Sequence, residues 1–249
     1  MKFALITGTS RGIGVALAEA LLERGWRVTG CARGPAPESL QREGYAHFEV
    51  DLSDRDATVA AFDPERPELA DLARAERPAL VHNAAVLGTD PISGLELGGV
   101  VDALTVNVAT PLWLTGWFLR HTAPAAELRV VEVSSGAAKS AYPGWSVYCA
   151  SKAALLRMGE VLAVEAQEVE ELRGRRLAVL SYAPHVVATD MQAEIRATGA
   201  ARFPRHQRFL DLHANGELVP AEAPAGDLAR KIDDEAPWPD YEVTRYEPR

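Results

Sequence analysis

Short apolar runs of strand length alternate with longer segments of helical period along almost the whole chain, and this restricts the fold more than any other feature. The runs are Phe3–Thr7, Arg27–Cys31, His47–Val50, Ala79–His82, Arg129–Ser134 and Leu177–Tyr182. Between them the spacing predicts helices over about 12–24, 54–75, 97–120, 147–172 and 219–231. In the fourth of these, Leu155, Met158, Leu162, Ala166, Val169 and Leu172 recur every three or four residues. Arg173-Gly174-Arg175-Arg176 then supplies cations and a glycine, both stop signals. Strands alternating with helices need right-handed crossovers, which give a parallel sheet covered on both faces. The expected fold is α/β: a Rossmann-type doubly wound parallel sheet with helices on both faces, in a single domain over residues 1–249.

Composition narrows the partners. Of 249 residues, 47% are hydrophobic and 24% charged, the balance of a globular chain with a large core. The net charge of −9 repels phosphates and anionic lipid, so neither nucleic acid nor membrane is an expected partner. Cys31 and Cys149 lack metal-ligand spacing, and no metal is expected. Met1–Gly8 does not read as a signal peptide, and no apolar run approaches the ~20 residues that cross a bilayer. A cytoplasmic protein is expected. From Gln192 to Pro220 the period weakens, and Phe203-Pro204-Arg205-His206-Gln207-Arg208-Phe209 mixes aromatics with cations. A long irregular stretch in a compact domain is usually functional, and residues of about 190–220 are expected to form a lid over a ligand.

Thr7-Gly8-Thr9-Ser10-Arg11-Gly12-Ile13-Gly14 joins the first strand to the first helix. Glycines in that place permit a tight turn and close backbone approach to a pyrophosphate, which the helix N-terminus also attracts. The second strand ends Cys31-Ala32-Arg33, with no acid to bond a ribose 2′-OH. Arg33, with Arg11 as a second cation, favours a 2′-phosphate, hence NADP(H).

Tyr148-Cys149-Ala150-Ser151-Lys152 places a phenol and an ammonium on one helix face. A phenol of reference pKa near 10 is a poor acid at neutral pH, but a cation at ~4 Å is worth roughly three pK units in its favour. Such a tyrosine can give a proton to a carbonyl oxygen.

Taken with Thr7–Gly14, Asp51-Leu52, His82-Asn83-Ala84-Ala85, Asn107, Ser135 and Pro184-x-x-x-x-Thr189, this pattern resembles the short-chain dehydrogenase/reductase superfamily. The resemblance implies a tetrad. Tyr148 is the acid–base group, Lys152 lowers its pKa and holds the nicotinamide ribose, and Ser135 bonds the substrate oxygen. Asn107 positions a water that relays protons to Lys152. Gly8, Ser10, Arg11, Gly12, Ile13, Gly14 and Arg33 would hold the dinucleotide phosphates. Asp51 and Leu52 would hold the adenine, Asn83 and Ala84 the adenosine ribose side, and Pro184 and Thr189 the nicotinamide.

Gly144–Cys149, Ser181–Pro184 and Thr189–Gln192 further resemble the sepiapterin reductase and benzil reductase branch. That likeness implies reduction of a small-molecule ketone, a vicinal dicarbonyl or a pterin side-chain ketone. Ser135, Trp145, Tyr148, His185 and Met191 would meet the substrate. Two positions depart from the family pattern: Ala85, where Gly is usual, and His185, where Pro-Gly is usual beside the nicotinamide. The resemblance also implies a homodimer or homotetramer. A dinucleotide sensor without turnover, or an alcohol dehydrogenase working in the oxidative direction, are the alternative readings.

Overall fold

Among the described residues, seven parallel strands form one sheet in the order β3-β2-β1-β4-β5-β6-β7. They are β1 Lys2–Thr7, β2 Arg27–Ala32, β3 Tyr45–Glu49, β4 Arg77–His82, β5 Glu127–Val133, β6 Arg176–Ala183 and β7 Tyr241–Arg245. The computed structural model describes residues 1–236 and 238–248. Alternation along each strand divides the interior in two. Phe3 and Leu5 point with Leu80, Val130 and Val179 towards one helical layer, while Ala4 and Ile6 point with Val81, Val131 and Leu180 towards the other. The first layer holds α4 (Thr110–His121) and α5 (Ser146–Glu168); the second holds α1 (Gly12–Leu22) and α8 (Glu222–Asp233). The doubly wound expectation is therefore met. Because β1 lies between β2 and β4, chain order reverses beside it, and a crevice opens at the C-terminal strand ends.

The helix expected over 54–75 is broken. It forms only as α2, Arg55–Ala61, capped by the Asp54 carboxylate on the N–H groups of Asp56 and Ala57. Pro64 and Pro67 then end it, and short 3₁₀ turns follow at Pro67–Leu69 and Leu72–Arg74. The span over 97–120 is continuous but contains a π turn, Thr105–Ala109, between α3 (Leu97–Leu104) and α4. By length and composition, Leu97–His121 could cross a membrane, contrary to the sequence expectation that no such run exists. Here one flank of that helix packs on the sheet, while Leu97, Val101 and Leu112 are exposed.

Nor is the stretch after Thr189 irregular. It forms α6 (Asp190–Thr198) and α7 (His206–Ala214), with Gly199 at φ 82° ending the first. Their short length and the break at Pro204 hide the period. The edge strand β7 has little apolar alternation and was not foreseen.

Candidate functional site

The loop after β1 is built for close approach. Gly8 and Gly12 have φ 78° and 58°, values that side chains disfavour. A Cβ at Gly14 would lie 2.1 Å from the Gly8 carbonyl oxygen and 2.7 Å from Asn83 Nδ2. That amide donates to the carbonyls of Thr7 (2.9 Å) and Gly8 (3.0 Å), so it ties the ends of β1 and β4 together. Asn83 thus lines the crevice as a brace, with its amide already engaged. Above this cradle lies a cleft of about 830 Å³ that runs from Arg33 and Asp51 at one end to His185 and Phe209 at the other. Ser10, Arg11, Gly12 and Ile13 border it with Ala84, and Gly14 lies buried beneath. A glycine cradle at a helix N-terminus fits a dinucleotide pyrophosphate.

At the first end Arg33 is exposed and makes no ion pair among the described residues. Asp51 accepts from the Ser53 N–H (2.9 Å) and hydroxyl (2.7 Å). These bonds, and then Arg33, hold its carboxyl below the usual range. Leu52 is buried beside it. Arg11 turns the other way and pairs with Asp190 across the cleft mouth at 3.1 Å, which leaves Arg33 the better placed of the two cations.

Midway along the cleft, α5 carries Tyr148 and Lys152 on the face predicted, and both side chains are buried. Ser135 follows β5 and faces the phenol without a well-formed hydrogen bond, its Oγ accepting instead from the Ala137 N–H (3.1 Å). Catalytic contacts of this kind often tighten only around substrate. Burial pushes the Tyr148 phenol up to about 12, against the lowering pull of Ser135. Lys152 is not among the groups that shift it in this arrangement. The ammonium instead donates to the Val133 carbonyl (2.7 Å) and sits 5.6 Å from the phenol ring centre. Burial depresses Lys152 itself to about 8.

Asn107 lies within the π turn. Its Nδ2 donates to Val86 O (2.8 Å) and Ser151 Oγ (3.1 Å), and its Oδ1 accepts from Val86 N (2.9 Å). The side chain thus clamps the loop after β4 to α5.

At the second end, Trp145 stacks on Phe203 (4.7 Å, 4°) and Tyr142 (4.9 Å), and meets Tyr148 edge-on at 5.8 Å. Phe203 is fully buried in this cluster, where the sequence suggested a lining residue; Phe209 and Met191 do line the cleft. Pro184 and Thr189 border the same end, with Thr189 Cγ2 in the space a Cβ at Gly12 would approach to 3.2 Å. His185 is the one non-glycine residue with positive φ (72°) among the described residues, and its buried Nδ1 has no hydrogen-bond partner. Ala85, the other departure, does not need a positive φ.

Sequence reasoning missed the groups beneath and beside this site. Glu132 on β5 is fully buried, and neither carboxyl oxygen has a well-formed hydrogen bond. It stands in register with His82 and Ser181 on the neighbouring strands. Gly159 makes room for it, since a Cβ there would lie 2.9 Å from Oε1. Burial raises Glu132 to about 8 and, with Lys152 nearby, lowers His82 to about 3. Arg208 and Arg245, also unforeseen, border the end near His185.

A family model described as short chain dehydrogenase matches residues 2–200. A benzil reductase ((S)-benzoin forming) of Bacillus cereus is 31% identical over 98% of this chain and 99% of its own length. Sepiapterin reductase of Rattus norvegicus is 32% identical over 86% of this chain and 85% of its own. Among solved structures, the KRED1-Pglu enzyme matches with a TM-score of 0.78 at 29% identity, covering 95% of this chain and 97% of that one. A glycine cradle at the sheet's switch point, a Tyr–Lys pair on its floor and these likenesses agree: the chain belongs to the short chain dehydrogenase family of oxidoreductases.

Proposed function

We propose that this chain is an NADPH-dependent carbonyl reductase of the cytoplasm, acting on a ketone with a second carbonyl beside it. The observation that carries the reading is the meeting of Ser135, Tyr148 and Lys152 on the floor of the cleft that lies over the glycine cradle. The names of the benzil and sepiapterin reductases among its relatives support the substrate class. When bound, the dinucleotide supplies the hydride. Backbone N–H groups from Gly8 to Gly14 and the N-terminus of α1 hold its phosphates, Arg33 its 2′-phosphate, and Asp51, Leu52, Asn83 and Ala84 its adenosine. Pro184 and Thr189 position the nicotinamide end.

Ser135 orients the substrate oxygen by a hydrogen bond, and Tyr148 gives it a proton from Oη. Ionised Tyr148 is costly in a buried site, so the neighbouring Lys152 cation serves to stabilise the phenolate. Asn107 already engages its whole side-chain amide, so a water for reprotonation would be held there by backbone carbonyls. Trp145 and Met191 shape an apolar wall for a flat substrate, and His185 offers a ring nitrogen to the second carbonyl oxygen.

NADPH oxidation followed by absorbance on benzil and 1-phenyl-1,2-propanedione tests the reading. Tyr148→Phe is expected to lose about 10²–10⁴ in turnover, the usual worth of a positioned acid, with NADPH affinity within a few-fold. Retention of more than about a tenth of the activity would remove Tyr148 as proton donor.

A further inference from the structure

Three nitrogen-bearing side chains converge beside the reacting end of the cleft without a counter-charge. Arg245 closes β7 in register with Ala183, the residue before Pro184-His185, and the Tyr246 N–H fixes that strand end on the Ala183 carbonyl at 2.9 Å. Arg208 opens α7 beside Phe209, whose ring lies 5.4 Å from that of Trp145. Both arginines border the cleft with His185, and neither pairs with an acid among the described residues. Arg208 lies 5.9 Å over the Phe209 ring, which leaves its guanidinium without an anion, whereas the neighbouring Arg202 is bound to Asp90 at 2.6 Å. Of the acids near this end, Asp190 is held by Arg11, and Glu194 forms no ion pair with either arginine. His185 completes the group. A strained backbone puts an imidazole there, with its Nδ1 buried and unpartnered. Burial, then Arg245 and Arg208, hold that imidazole below the ordinary histidine range, as expected of a donor cluster lacking an anion.

We infer that the substrate carries a carboxylate next to its reactive carbonyl, and that Arg208 and Arg245, with His185, bind it. The inference rests on the reductase reading and narrows it to 2-oxo acids with an aromatic arm. Guanidinium groups match a carboxylate in planar, two-point fashion. The aromatic wall of Trp145, Tyr142 and Phe209 takes the arm. In a chain of net charge −9, an anionic substrate needs such a local cationic mouth to enter. The reaction balances simply. The C2 carbonyl gains a hydride from the reduced dinucleotide and a proton from Tyr148, giving the 2-hydroxy acid, while the carboxylate is unchanged.

The test compares benzoylformate with its methyl ester, which has the same ketone and ring but no charge. The acid-to-ester ratio of kcat/KM is expected to fall about tenfold or more in Arg208→Gln/Arg245→Gln, and to fall in the wild type as salt is raised. An unchanged ratio overturns the anion site and leaves the reductase reading standing. If benzil, acid and ester are all inert, the reductase reading fails instead. Calorimetry with benzoate then judges the anion site without turnover. Binding about tenfold weaker in the double variant supports the site, and equal binding overturns it.

Discussion

Replacing Arg33 by Ala is expected to erode a preference for NADPH over NADH that is itself at least about tenfold in kcat/KM. A charge-assisted hydrogen bond to a phosphate contributes roughly 1.5–3 kcal/mol, so the preference should drop by a factor of about ten or more. Steady-state kinetics with both cofactors measures it, and equal use of the two by the wild type would dismiss the reading. We assign this role to Arg33 because Arg11 already faces Asp190. Single residues were legible where the chemistry is local in sequence: Tyr148 and Lys152 are one helical turn apart, and Gly8 to Gly14 form one turn. Glu132 was not. Its neighbours, His82, Ser181, Gly159 and Tyr241, come from four other elements, and a lone acid in an apolar run gives no sign of them.

Helices α3, α4 and α5 leave apolar side chains exposed on their outer flank. Val101 is 52% exposed, Leu112 51% and Val164 51%, on elements otherwise packed against the sheet. Apolar surface of this kind is where the homodimer or homotetramer expected from the sequence would form its interface. Light scattering after size exclusion is expected to give a multiple of the 26.9 kDa chain mass, and Val101→Glu/Val164→Glu should shift it towards that mass. A wild-type monomer at micromolar concentration would count against this role for the helices. At this scale β1 to β6 were readable from their apolar runs, and α5 from its period. What failed was the 54–75 segment, where two prolines outweighed the periodicity, and the α6–α7 pair, whose short amphipathic helices pack on Trp145 and not on the sheet. Tertiary contact, absent from any local window, forms them.

Across the whole molecule, the sheet buries a carboxyl group that responds to pH. Burial raises Glu132 from 4.5 to about 8, so the folded state keeps a proton that the unfolded chain has lost. Its contribution to stability is complete below 4.5 and is lost as pH rises towards 8, at about 1.4 kcal/mol for each pH step of one between those limits. Glu132→Gln keeps the shape and cannot ionise. Below 6.5 the buried His82, depressed to about 3, acts in the opposite sense and offsets this slope. The Tm of Glu132→Gln is therefore expected to change little between about pH 6.5 and 8, where the wild type should lose several degrees. Parallel curves would assign the dependence to another group. The window stops at 8 because Lys152, depressed to about 8, begins to act in the opposite sense above it.

The brace that Asn83 makes to Thr7 and Gly8 also bears on the order of synthesis. The glycine loop spans only Thr7 to Gly14, but its shape is borrowed from an amide some 75 positions later in the chain. Until β4 has emerged and docked beside β1, nothing holds the two carbonyls, and the turn is a floppy glycine segment like any other. The glycine segment is therefore made well before the amide that braces it, and takes its shape only when both strands are paired. If this loop holds the dinucleotide as proposed, its competence to bind is acquired together with the core, when the central strand pair forms.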